Sequence, residues 1–259
     1  MNAMTNLPLH ARRVVSIRPI SATSWAAMDG DRRATHASAL ANYHYIARTV
    51  GADARGVIDF RSRDDLVAHG LELPRNHPLW AAEEGRIWRE LDGASASLQP
   101  DAVRAWHVVV SLPLDSDADA WIAMARDYAG GIAVAGPAVA WAIHAKPDGA
   151  GGWTVPPHVH LLLTTRVWRH DARHGEKVTS WSGPATRSQL HRGWIERLPL
   201  SMREAAIGPY RTGNIAPATP DCSRLLALFG PRKPAPTRTP SSKPRRRRYR
   251  IRKTITLPS

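Results

Sequence analysis

Along the first 200 positions, apolar residues recur with two periods, and the switches between them divide the chain into strands and helices. Arg12–Ile20 alternates like a strand, with Val15 and Ile17 on one side and Pro19 closing it. After the polar turn Asp29-Gly30-Asp31, the alanine-rich stretch His36–Arg48 has helical character, with Gly51 as its stop. Residues 52–77 offer only Val57-Ile58 and Val67–Leu73 as short extended pieces among polar loops. Pro78 sits in the first turn of a second helix reaching Asp92, in which Trp80, Glu84, Ile87, Trp88 and Leu91 fall at helical spacing. The β-branched run Trp106–Leu112 is a strand, and Ala118–Ala129 is a helix with Trp121, Met124, Ala125 and Tyr128 on one side, broken at Gly130-Gly131. Ala138–His144 and His158–Arg166 read as antiparallel neighbours joined by a loop rich in Gly, Pro and Asp. A last helix, Gln189–Leu198, breaks at Pro199, and Thr212–Pro220 reads as linker. The pattern predicts an α+β fold, a central, mostly antiparallel sheet with flanking helices.

Chemistry enters at the last strand pair. His158, His160 and Leu162 alternate with Val159, Leu161 and Leu163, so both imidazoles share a strand face, roughly 7 Å apart along the chain and within reach of one metal ion. The hairpin would bring His144 beside them. With 12 His in the chain, a bare His-X-His also arises by chance; the third histidine and the polar Thr164, Thr165 and Arg166 at the strand end favour a site. Gly152 ahead of the pair fits the first half of a cupin metal motif, but that motif then wants a Glu where 164 and 165 are both Thr. Trp80 and Trp88 are most simply core residues, with base stacking as the alternative.

Composition narrows the setting. A single cysteine, Cys222, excludes an intrachain disulfide and a Cys-rich zinc site and suits a reducing cytoplasm. The N-terminus lacks a signal-peptide pattern, and the most apolar run, 132–143, falls short of the ~20 residues that span a bilayer, so membrane insertion is not expected. Of the net charge of +14, 11 positive charges and no acid lie in 231–259, so the first 230 residues carry +3. That tail, with Arg245, Arg246, Arg247, Arg248, Arg250, Arg252 and Lys253, has too few apolar residues to offset the entropy of ordering and is expected to be disordered and to engage nucleic acid. The expected division is a folded domain over 1–210 and a linker with basic tail over 211–259.

The order strand, tyrosine-bearing helix, strand ending in Leu112-Pro113, helix, His144, loop and Pro157-His-Val-His-Leu-Leu-Leu-Thr-Thr-Arg166 resembles the MobA/MobL family of plasmid mobilisation relaxases, which belong to the HUH single-strand endonucleases. The resemblance covers about residues 12–170 and is most specific at the histidines. It implies a relaxase-like nuclease domain and His144, His158 and His160 as ligands of a divalent ion, Mg or Mn. It also implies a tyrosine nucleophile on the first helix, single-stranded DNA at a plasmid origin of transfer as partner, and mobilisation accessory proteins. Counting seven residues from Ser38 lands on Tyr45, whose Tyr45-Ile-Ala-Arg48 is similar to the Tyr-Ile-X-Arg of related relaxases; Tyr43 is the second candidate. The two lie two residues apart and would point about 200° from one another on a helix, so one of them faces a given site. His107 stands where many relatives carry a Glu, as a partner of the tyrosine or metal or as a strand histidine; Arg166 ends the motif and is a candidate DNA contact. A phenol free in water, of pKa ~10, is about 0.1% ionised at pH 7, a deficit of roughly 4 kcal/mol that a cation at the scissile phosphate would help to offset.

Other readings remain. In a rolling-circle initiator or transposase of the same superfamily the tyrosine typically follows the histidine motif, whereas here it precedes it. A basic DNA-binding accessory protein would carry the tyrosine and histidines as packing residues. A cupin would be nearly all strand, without the alanine-rich tyrosine helix.

Overall fold

A computed structural model describes residues 15–23, 37–53, 56–170, 173–200 and 202–203. Five strands, β1 (Val15–Ile20), β4 (Leu66–Glu72), β5 (Ala105–Ser111), β6 (Val139–Pro147) and β7 (Trp153–Thr164), form one sheet in the order β1-β5-β7-β6-β4, antiparallel at every pairing. A small hairpin, β2 (Val50–Asp53) with β3 (Gly56–Asp59), and the short pair β8 (Arg166–Val167) and β9 (Glu176–Lys177) stand outside it. The helices are α1 (Ala39–Ala47), α2 (Arg86–Ala94), α3 (Ala118–Ala133) and α4 (Pro184–Ile195). The expected α+β architecture with a central antiparallel sheet is the observed one. A sheet so flanked by helices is not a cupin barrel, and that reading is removed.

Strand alternation sorts the side chains onto two faces. Val108, Val110, Trp141, Ile143, Val159, Leu161 and Leu163 point to one face and are buried under α3 and α4. The opposite face carries Ile20, Ala105, Leu162 and a column of small residues, Ala138 just before β6 and Ala140 and Ala142 on it, packed with Ala39, Leu40, Tyr43, Ile46 and Ala47 of α1 and with Trp88 and Leu91 of α2. Trp88 is fully buried, as the core reading expects, while Trp80 is partly buried at the margin of the core, edge-on against Trp168.

Several boundaries differ from expectation for identifiable reasons. The helix expected from Pro78 is split: Leu79–Ala82 is a 3-10 turn, and α2 begins only after Gly85. Gly85 adopts φ 69°, and a Cβ there would lie 3.2 Å from Leu40. Gly130-Gly131 does not end α3, because Ile132 and Ala133 beyond it are buried in the core; packing outweighs roughly 1 kcal/mol per glycine. The β6–β7 loop is only 148–152, closed by Asp148, whose carboxylate accepts from the Ala150 and Gly152 amides. The stretch Trp153–Pro157 expected to be loop is therefore strand, where the two prolines fall at an irregular end of the ladder that can spare their missing donors. Gly51 does not stop α1: Arg48 caps it in the left-handed region at φ 54°, and Gly51 lies in β2 under the His44 ring. The expected linker and basic tail, 211–259, including Arg245–Arg248, Arg250, Arg252 and Lys253, lie outside the described residues.

Candidate metal and tyrosine site

The site is built by β6, β7 and β5 below and α1 above. The β6–β7 register sets His144 opposite His158 and Ala142 opposite His160, and the β5–β7 register sets His107 opposite Leu162. All four imidazoles thus share the α1 face of the sheet. His144, His158 and His160 each offer a ring nitrogen, and these atoms lie within 4.8 Å of one another. His158 Nε2 and His160 Nε2 are 3.1 Å apart, about the separation of two nitrogens bound at right angles to one ion at ~2.1 Å.

Hydrogen bonds fix how the rings are presented. His158 donates from Nδ1 to the Pro156 carbonyl at 2.8 Å, which leaves its Nε2 lone pair facing His160. His144 donates from Nε2 to the Ile46 carbonyl at 2.7 Å and accepts at Nδ1 from Arg48 Nη2 at 2.9 Å, so it can ligate an ion only by giving up one of these bonds. His107 Nε2 lies 2.8 Å from His160 Nδ1. Burial first, then Arg48, pushes the His144 pKa down to about 3. Burial first, then the neighbouring imidazoles, holds His160 well below its usual value. Both rings stay neutral at pH 7, the state in which imidazole binds metal.

Tyr45 and Tyr43 part company as the helical angle requires. Tyr45 is half-buried and its ring meets His160 at 5.7 Å and His107 at 6.4 Å between centroids, both edge-on. Phe60 closes one side at 5.3 Å, and the Arg48 and Arg63 guanidiniums lie 4.8 Å and 5.6 Å from the ring centre. Tyr43 is 8% exposed and stacks on Trp88, with its pKa pushed up to about 12 by burial and by Glu84. The structure brings together Tyr45, His107, His144, His158 and His160 and leaves Tyr43 in the core. Arg166 has its guanidinium on the His174, Gly175 and Ala94 carbonyls.

Sequence reading missed the residues that hold this site. Arg48 forms a bidentate, buried pair with Asp65, with both N–O distances 2.7 Å, and bonds the Tyr45 carbonyl and His144 as well. Asp92 of α2 caps α1 from outside, its carboxylate accepting from the Ser38 hydroxyl and the Ala39 and Leu40 amides. Ser38 is the N-cap of α1, accepting from Ala41 N. Ser38 and Arg48 were visible as the two ends of the tyrosine segment; nothing in the sequence marks Asp65 or Asp92 among 22 acidic residues.

Fold and site together describe a sheet protein that presents a three-histidine cluster to a tyrosine on its first helix. The profile of the MobA/MobL family matches residues 34–200, and the chain belongs to that family. The conjugal transfer protein TraA of Rhizobium radiobacter is 25% identical over 188 residues, covering 61% of this chain; the chain spans 16% of that protein. A solved structure described as the molecular basis of vancomycin resistance transfer in Staphylococcus aureus superposes with a TM-score of 0.54 at 16% identity, covering 71% of this chain and 88% of its own, and shares the fold.

Proposed function

We propose that the chain is a conjugative relaxase: a metal-dependent, site-specific nickase and strand transferase that acts on one DNA strand at a plasmid origin of transfer. The observation that carries this reading is that Tyr45, and not Tyr43, lies against the histidine cluster. The three imidazoles suit a divalent cation; the family favours Mg or Mn, and an all-nitrogen set favours Mn over Mg. Such an ion would polarise the non-bridging oxygens of the scissile phosphate. Tyr45 Oη forms a bond to phosphorus, the bond to the 3′-oxygen breaks, and the phenolic proton passes by way of solvent to that departing 3′-oxygen, which leaves as a hydroxyl. The product is a 5′-phosphotyrosine, so no water is consumed and the step is reversible. Arg63, exposed beside the ring, offers a cation to the incoming backbone, while Arg48, held by Asp65, steadies the ring from its buried side.

The test is covalent capture of single-stranded origin DNA on a denaturing gel. Wild type and Tyr43→Phe form the adduct, while Tyr45→Phe and chelator-treated protein do not; an adduct with Tyr45→Phe would overturn the assignment. The position of Tyr45 ahead of the histidines argues against a rolling-circle initiator or transposase, and adduct formation would separate a nickase from a DNA-binding accessory protein. The basic tail is proposed to add sequence-independent affinity, about 0.7 to the salt slope per phosphate neutralised. Deleting 231–259 should flatten that slope. Cytoplasmic residence and contact with mobilisation accessory proteins belong to the same proposal. Among the described residues no helix is long and apolar enough to cross a membrane.

A further inference from the structure

His107 is not one of the three clustered ligands, yet it touches them through His160, which is 4% exposed. Carbonyl partners fix two of the four tautomers: Pro156 puts the His158 proton on Nδ1, and Ile46 puts the His144 proton on Nε2. His160 is different, because each of its nitrogens faces another imidazole, Nδ1 facing His107 and Nε2 facing His158. Since His158 Nε2 holds a lone pair, the metal-free arrangement that satisfies every contact has His160 donating from Nε2 to His158 and accepting at Nδ1 from His107. A cation between the two Nε2 atoms requires the reverse: a lone pair on His160 Nε2, a proton on its Nδ1, and an acceptor for that proton. His107 Nε2, at 2.8 Å, is in place to be that acceptor.

We propose that His107 is a positioning residue that sets the tautomer of His160, turning from hydrogen-bond donor to acceptor when a divalent cation joins His158 and His160. In that exchange His160 and His107 each move one proton from Nε2 to Nδ1. Two protons enter and two remain, so the pair releases none. The chemistry follows the rule that a metal-bound imidazole donates its other N–H to a fixed acceptor. His107 thereby governs cation affinity without touching the ion. The inference rests on the cluster being a metal site, and its test separates the two.

Mn2+ is titrated calorimetrically into chelator-stripped full-length protein. Wild type and His107→Gln, whose amide oxygen can accept, bind within about threefold of one another, while His107→Leu binds about 10- to 100-fold more weakly. If wild type binds no Mn2+, the metal reading falls and this inference with it. If wild type and His107→Leu bind equally, or Gln weakens binding as much as Leu, the acceptor role is overturned and the metal site stands. Should the Leu variant not fold, wild type alone decides: with 15N-labelled histidine, long-range 15N–1H spectra read the His160 proton moving from Nε2 to Nδ1 on adding Zn2+. An unmoved proton in Zn2+-bound protein overturns the proposal.

Discussion

The two faces of the sheet are made by the same strands and obey opposite rules. On the α3 and α4 face, β7 contributes Val159, Leu161 and Leu163 to a core held mainly by volume and shape, its Trp106, Trp121 and Tyr128 polar atoms each donating to a carbonyl. On the α1 face the same strand contributes His158 and His160, and beside them Arg48, Asp65 and His144 are tied by hydrogen bonds in a region where polar groups are costly unless paired. The dry face tolerates a lost contact in proportion to the cavity it leaves, whereas the polar face loses a partner and exposes the other partner's full desolvation cost. Stability and chemistry are therefore interleaved residue by residue along one strand.

Four measurements can break or sharpen this contrast. Asp65→Ala should be the most damaging, because it strands the Arg48 guanidinium, whose side chain is 4% exposed, without its bidentate partner. A loss of about 3–5 kcal/mol is expected in denaturant unfolding, and a loss below 1 kcal/mol would show that Arg48 finds water or another acceptor. Leu161→Ala on the dry face should cost about 2–5 kcal/mol through its cavity while leaving covalent capture on saturating DNA intact in the folded fraction; a lost adduct would mean that the two faces are not separable.

Acidification probes the polar face through its buried histidines. The folded-state pKa of His144 and of His160 lies below the unfolded value of 6.5, so the unfolded chain takes up protons that the fold refuses. Stability present above pH 6.5 is lost progressively as pH falls toward about 3, the value for His144. The unfolding midpoint of chelated protein should drop between pH 7 and pH 4, and drop less in His160→Gln; equal slopes would place His160 in water. The smallest effect is expected from Ser38→Ala, about 1 kcal/mol for a lost N-cap, moderated because Asp92 still holds the Ala39 and Leu40 amides. A Ser38→Ala variant as damaged as Asp65→Ala would make the cap, rather than the ion pair, the anchor of α1.

The sequence disclosed whatever depends on period and on local chemistry. Alternation from His158 to Leu163 identified β7 and its two faces, and the 200° between Tyr43 and Tyr45 meant that one would face the site. It did not disclose partners that are distant in the chain. Asp65 meets Arg48 and His144 only because β4 pairs with β6, and Asp92 reaches the start of α1 only because α2 packs beside it. Helix ends were misjudged at Gly51, Gly85 and Gly130 for the same reason: the conformation each glycine adopts is settled by what packs against it.

The alanine column at the start of β6 sets how closely α1 approaches the sheet. Ala138, Ala140 and Ala142 project a single methyl each toward α1, so the helix rests on the sheet at a clearance set by the smallest side chain that still has a Cβ. They work as a machinist's gauge. A valine at Ala142, the position paired with His160, would shim the helix outward by on the order of an ångström and carry Tyr45 with it, a misplacement that can cost on the order of 10²-fold in rate. A substitution there that conserves every functional group would still put the tyrosine out of tolerance.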